Sequence, residues 1–209
     1  NIFKDTMATQ ELRTSQLEAV NTMLACVGAA PVNIITGDLT ADVQIAVDLL
    51  RTTSREVQTE GWNFNTEEDW ELSRDVLSKV PLPGNCLDVD LTTEDWTIEV
   101  TQRGDYLYDK RNHTFVFSAN PKCTLILFLP WSDLNEPTRN YIKLKAARKY
   151  QDQTLGSQEH HMYSERDELV AYATFLSSDS RNEDATIFDT PDMAGIVNRQ
   201  RPRVTSFPS

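Results

Sequence analysis

Four carboxylates crowd the stretch Glu67-Glu68-Asp69-Trp70-Glu71. A carboxylate pair is the minimum equipment of a glycosidase, but that chemistry needs one acid in an apolar pocket that raises its pKa. Here the acids are bunched in a chain of net charge −12, and solvated charge is the simpler expectation. Glu159-His160-His161, with Glu165 four residues on, could present metal ligands from a helix. Adjacent helical residues point about 100° apart, so the two His do not readily converge on one ion. Arg103-Gly104-Asp105 spells an adhesion tripeptide, which a glycine turn between strands explains equally well. Cys26, Cys86 and Cys123 are far apart and form no C-x-x-C pair. Free, buried thiols in a reducing compartment are expected, rather than disulfides or a zinc site. No nucleophile elbow, P-loop or dinucleotide fingerprint occurs. The expectation is a non-enzyme with no cofactor and no metal. An envelope glycan hydrolase is the rival, followed by an unrelated binding module.

The elements around these residues change character at one point. Upstream of Glu60-Gly61-Trp62-Asn63-Phe64-Asn65 the hydrophobic period is that of a helix. From Trp62 it falls to two, through Phe64, Trp70 and Leu72. Gly61 marks the switch, since a helix commonly ends on a glycine free to turn left-handed. Trp62 and Phe64 are therefore expected on one face of a strand, buried where strands join helices.

Ser15 and Glu18 fit a capping box, and Leu17, Val20, Met23, Leu24 and Val27 follow at helical spacing. A second helix over 41–60 carries Val43, Ala46, Val47, Leu50 and Val57 on one stripe, with Arg51 and Arg55 on other faces. Residues 62–130 read as a β-meander. Its strands include the alternating runs Leu87–Leu91 and Trp96–Val100, the short strand Tyr106–Tyr108 paired with Thr114–Phe117, and the apolar Thr124–Leu129 as the most buried. Pro137 suits the first turn of a third helix, 137–154, with Tyr141, Ile142, Ala146, Tyr150 and Leu144 inward. Lys143, Lys145, Arg148 and Lys149 make it the basic element. A fourth helix, 158–176, would bury Met162, Leu169, Ala173 and Leu176.

From Ser177 that period stops. Residues 177–192 hold five acids and one Arg, and 193–209 hold Arg199, Arg201 and Arg203 with no acid. This reads as an extended tail that orders on a partner. The fold class is thus α+β: a four-helix bundle (1–61 and 131–176), an inserted antiparallel β-module (62–130) and an extended C-terminal tail (177–209).

At 209 residues and 39% apolar, the chain can bury a core. Its negative charge argues against simple attraction to nucleic acid. No apolar run reaches the roughly 18–20 residues of a membrane span. No charged-then-apolar leader opens the chain, so no secretory signal is expected, and Met7 is a candidate start.

Several runs resemble tail tubular protein A of T7-like short-tailed phages. They are Leu17-Glu18-Ala19-Val20-Asn21, Leu24 to Gly28 with Pro31-Val32, and Gly37-Asp38 with Ala41-Asp42-Val43. Gly61-Trp62-Asn63-Phe64-Asn65 and Arg103-Gly104-Asp105-Tyr106-Leu107-Tyr108-Asp109 continue the likeness, and Lys145-Ala146-Ala147-Arg148-Lys149-Tyr150 is looser. The resemblance runs over about 15–176. It implies a head-to-tail adaptor, or gatekeeper, of the virion tail. About twelve copies would form a ring between the portal protein and the tail nozzle protein, with DNA passing through without specific binding. Lys143, Arg148 and Lys149 would then be inter-subunit contacts, and Arg199, Arg201 and Arg203 would meet the portal or a neighbour.

Overall fold

Ser15 opens the first helix as its spacing predicts: its Oγ accepts the Glu18 N–H at 3.1 Å. That helix, α1 (Gln16–Cys26), buries Ala19, Val20, Met23 and Leu24. The loop after it is pinned by Asn21, whose side-chain amide pairs with both Val32 N–H (2.8 Å) and Val32 C=O (3.0 Å). The second helix, α2 (Ala41–Thr59), turns Val43, Ala46, Leu50 and Val57 inward, with Val47 half-buried. The third, α3 (Glu136–Thr154), begins where Asn135 Oδ1 accepts the Thr138 N–H, and it buries Tyr141, Ile142, Ala146 and Tyr150 as expected. The fourth is α4 (Gln158–Phe188). The structure, a computed structural model, describes residues 13–92, 97–154 and 158–188; the side chains of 158–164 and 182–188 lie outside that description.

Two expectations about α4 are corrected. The helix does not stop at 176 but continues to Phe188, so 177–188 are helical rather than extended. Ser, Asp and Asn there lower helix propensity without forbidding helix, and loss of amphipathic period signals loss of burial, not loss of helix. The buried face also differs. Ala171 and Phe175 are inside, while Leu169, Ala173 and Leu176 are exposed. The inward stripe is rotated because Phe175 and Tyr172 find aromatic partners on α3 and near Trp62. Met162 lies outside the described side chains.

The strands lie between α2 and α3: β1 (Thr66–Glu71), β2 (Cys86–Leu91), β3 (Val100–Arg103), β4 (Tyr106–Asp109) and β5 (Lys122–Leu127). They are not a meander. β5 sits centrally in a three-stranded antiparallel sheet of order β1-β5-β2, and β3-β4 is a separate hairpin. The apolar β5 was expected to be the most buried strand, and its central place follows from that: Cys123, Leu125 and Leu127 face the core. Thr114 and Val116 make only isolated bridges, to Asp109 and Lys79, rather than a strand. Strand geometry in the predicted Trp96–Val100 run begins only at Val100, and Trp96 lies outside the described residues.

Trp62 and Phe64 are not on a strand either. Trp62 precedes a 3-10 turn, Asn63–Asn65, and β1 begins at Thr66. The apparent period of two was broken by this turn and by a bulge between Glu67 and Trp70, where Asp69 has φ +56°. Trp70 is consequently 43% exposed.

The architecture is mixed helix and sheet with two cores. One gathers residues of all four helices. The other holds Leu72, Val80, Val89, Leu107, Phe117 and Leu125 among the strands, and Leu129 touches both. α3 is the hub of the helices, in contact with α1, α2 and α4, whereas α4 packs chiefly on α3 and the 3-10 turn. Four helices sharing one core, with small antiparallel sheets beside them, thus make up the fold.

Candidate functional site

The helix-to-strand junction is built from Gly61 outward. Gly61 has φ +74°, and a Cβ there would stand 2.6 Å from Ile126 Cδ1 of β5. The left-handed backbone calls for glycine, and a Cβ there would in addition force the Ile126 side chain to shift. Trp62 then turns back: its Nε1 donates to Val57 C=O at 2.7 Å, and its backbone N–H donates to Asn65 Oδ1 at 2.9 Å. Asn65 is buried with every side-chain hydrogen used, its Nδ2 donating to Gln58 C=O and Leu127 C=O, each at 2.9 Å. Gln58, also buried, handles the return strand. Its Oε1 accepts the Leu129 N–H at 2.7 Å, and its Nε2 donates to Leu129 C=O and Ser54 Oγ, both at 3.1 Å. One side-chain amide thus satisfies both backbone groups of Leu129, as a neighbouring strand would.

Aromatic rings close the junction from the α4 side. Phe175, fully buried, meets Trp62 edge-on at 4.5 Å, Phe64 at 6.2 Å and the Tyr141 ring stacked at 5.4 Å. The Asn63 N–H donates to Asp179 Oδ2 at 3.3 Å. Gly61, Trp62 and Phe64 therefore do meet at the junction, but Trp62 and Phe64 are half-buried and their common partner is a helix. Gln58, Asn65 and Phe175 escaped the sequence reading. The available signal was polar: Gln58 continues the buried face of Leu50, Ser54 and Val57, where a solvated amide would not belong.

A second polar clamp holds the chain before α1. Thr14 donates from its N–H (2.9 Å) and hydroxyl to the Glu136 carboxylate. Its C=O accepts from Trp131 Nε1 at 2.9 Å and Arg139 at 3.1 Å. The buried Arg139 guanidinium also donates to the carbonyls of Leu134 (2.9 Å) and Ser132 (2.7 Å).

The basic residues of α3 are drawn largely to acids of the same chain. Arg148 pairs with Glu168 of α4 and, at 3.3 Å, with Asp152. Lys149 pairs with Glu56 of α2, and Lys145 lies 3.4 Å from the same carboxylate. The hydrogen bond from Lys149 holds Glu56 below the usual carboxylate range, and that to Glu168 raises Arg148. Burial works to lower Lys145, but Tyr141 and Glu56 outweigh it and its pKa rises. Lys143 has no ion pair among the described residues. Arg199, Arg201 and Arg203 lie outside the described residues.

The remaining candidates stay apart from any apolar pocket. Glu67, Glu68, Asp69 and Glu71 are all exposed. Gly104 and Asp105 form the two-residue turn of the β3-β4 hairpin after Arg103, whose guanidinium lies 3.7 Å above the Tyr108 ring. The side chains of Glu159, His160 and His161 lie outside the description, and Glu165 is exposed. Cys123 is buried, its thiol pushed up to about 11 by desolvation, and Cys26 and Cys86 are half-buried. No helix among the described residues is long and apolar enough to cross a membrane.

No curated protein matches the chain. A family model described as "Tail tubular protein" matches residues 17–185, a span running from the start of α1, through the junction, into α4 past the point where helical periodicity fades. With most of its length matched in this way, the chain belongs to the tail tubular protein family.

Proposed function

We propose that this chain is the adaptor subunit of a phage tail, about twelve copies of which form a ring between the portal protein and the tail nozzle, with DNA passing through the channel. The coarser part follows from the family: the chain is a structural component of a bacteriophage tail. The family match over 17–185 is the observation that carries the reading. Two features support the finer part. A ring subunit must transmit load between its two ends, and the Gln58–Asn65–Phe175 junction ties helices and strands together with buried, fully paired groups. A channel for DNA must not adhere to it, and the exposed Asp88, Asp90, Glu67, Glu68 and Glu71 make the β1-β5-β2 sheet acidic.

In this reading Lys143 is the α3 cation available to a neighbour, while Arg148 and Lys149 contribute chiefly within the subunit. Residues 189–209, with Arg199, Arg201 and Arg203, are assigned to contact with the portal or an adjacent copy. The test is an image of the assembled particle carrying a tagged copy of the chain. A tagged ring between head and nozzle is expected. Tags found only along the nozzle wall, or absent from the tail, would overturn the adaptor role.

A further inference from the structure

The outer edge of β1 is open. β1 pairs with β5 along one side, and among the described residues no strand pairs with its other side. Backbone groups that point away from β5 are a template for a further strand. The strand also overhangs the core. Glu67 and Trp70 stand opposite Leu125 and Cys123, which are buried on the core side of β5. Yet every residue from Glu67 to Glu71 is exposed, Trp70 to 43%. On the outer side, Glu68 and Asp69 share the place opposite Thr124, and Glu71 stands opposite Lys122. Glu71 takes a hydrogen bond from Asn120 at 3.2 Å, but the side chains of Glu67, Glu68 and Asp69 have no partner among the described residues.

The chain carries a segment that fits this edge. Arg199, Arg201 and Arg203 recur at every second position, and no acid follows Asp192. In an extended strand all three Arg share one face, while Ile196, Asn198, Gln200, Pro202 and Val204 share the other and carry no charge. The charged face suits the acids on the outer side of β1, and the neutral face suits Trp70. Pro202 has no N–H to give. Where the three Arg supply the ladder bonds, Pro202 falls among the residues whose backbone points away from β1.

The path back is short. Asp179 of α4 holds the Asn63 N–H, just upstream of β1, and α4 runs on to Phe188, about 14 Å further. Residues 189–199 span up to about 36 Å when extended, enough to return Arg199 to β1 of the same chain. A tether of that length holds the segment near β1 at about millimolar local concentration, above that of any other copy in dilute solution.

We propose that in the free subunit residues 196–204 dock on the open edge of β1 in their own chain, as a fourth strand of the β1-β5-β2 sheet. Backbone pairing supplies the attachment, and the alternation of Arg with uncharged residues sets the register and the face. The segment is then a strap that covers an edge otherwise free to pair with foreign chains. On assembly it would leave for the portal or an adjacent copy and bare the acids that face DNA; only this release rests on the adaptor reading above.

Hydrogen exchange of the isolated subunit tests the strap. Amides of β1 that are not bonded to β5 should exchange about fivefold or more slowly in the full chain than in a chain ending at Phe188, with β5 unchanged. Dilution should leave this protection intact, and high salt should weaken it. Arg199→Glu, Arg201→Glu and Arg203→Glu together should copy the truncation, and adding Glu68→Lys and Glu71→Lys should restore the protection. Equal exchange in the full and shortened chains overturns the strap, and the acids and the bulge then guard the edge unaided. Protection that vanishes on dilution gives the segment to another copy and overturns it as well, as does charge reversal without rescue. The subunit is alone in solution, so a particle without a ring would remove the adaptor reading and leave these results standing.

Discussion

Replacing Phe175 by Ala should be the most damaging single truncation on α4, and replacing its neighbour Leu176 should be nearly silent. Phe175 is fully buried and shared by Trp62, Phe64 and Tyr141, whereas Leu176 is 37% exposed. Emptying a buried Phe site costs about 3–5 kcal/mol, and each aromatic pair lost adds about 0.5–1.5 kcal/mol where geometry is favourable. The packing is at one edge of the helical core, so some collapse is available and a total of about 4 kcal/mol is expected. For a chain of this size that corresponds to a fall in Tm of roughly 8–16 °C. Leu176→Ala should stay within about 0.5–1 kcal/mol. Urea unfolding followed by tryptophan fluorescence reads both, with Trp62 at 4.5 Å from the altered ring as an internal reporter. Hydrogen exchange would show whether Phe175→Ala frees α4 alone, since that helix packs chiefly on α3 and the turn. If Leu176→Ala proves as costly as Phe175→Ala, the inward face of α4 has been assigned to the wrong side.

Gln58→Ala should cost about 2–4 kcal/mol because it strands both backbone groups of Leu129, and near-normal denaturation would mean that they find other partners. Arg148→Glu with Lys149→Glu should lower Tm by setting like charges against Glu168 and Glu56, and the loss should shrink in high salt; weakened assembly at unchanged Tm would instead put their main partners on a neighbour. Burial works to raise the pKa of Asp109, but hydrogen bonds from Asn112, Glu99 and Arg111 outweigh it and hold it below the usual carboxylate range. Its contribution to stability is therefore fully present above about pH 4 and is lost as pH falls through the lowered folded value; Asp109→Asn should flatten the acid limb of a Tm–pH curve, and an unaltered limb would sink this assignment. A chain truncated after Phe188 should melt normally but fail to join the portal, and docking equal to that of the full chain would end the role given to residues 189–209.

The helices were legible because their inward stripes are strong: Val20, Met23, Leu50, Ile142 and Tyr150 lie where a period of 3.6 puts them. The central strand was legible from its unbroken apolar run. Three things were hidden, each for a physical reason. The order of strands depends on which edges pair, and nothing in β5 states that it enters between two earlier strands. The turn after Gly61 imitates a period of two, because Trp62 and Phe64 are pulled to α4 by Phe175 rather than by a pleat. α4 shows two apolar faces, and the sequence reading took the one formed by Leu169, Ala173 and Leu176. The buried face is the one that aromatic partners on distant elements select. The junction is legible from Gly61, Trp62 and Phe64, but its polar half, Gln58 and Asn65, is defined by backbone partners at Leu127 and Leu129 that no local pattern states.

The Gln58 and Asn65 amides have a consequence for how such a chain can vary. The two threads that leave and re-enter the helices, at Gly61–Thr66 and Leu127–Leu129, are tied beside each other by Asn65 and Gln58. The distance across that neck is set by two side chains and does not depend on how much chain lies beyond it. Loop-closure cost grows only logarithmically, about 0.6 kcal/mol for each doubling of length. The strand segment is thus a cassette with fixed terminals. Changes of length at the far loops of this segment are therefore expected to leave the register of the helices intact, provided the Gln, the Asn and the glycine at the neck are retained.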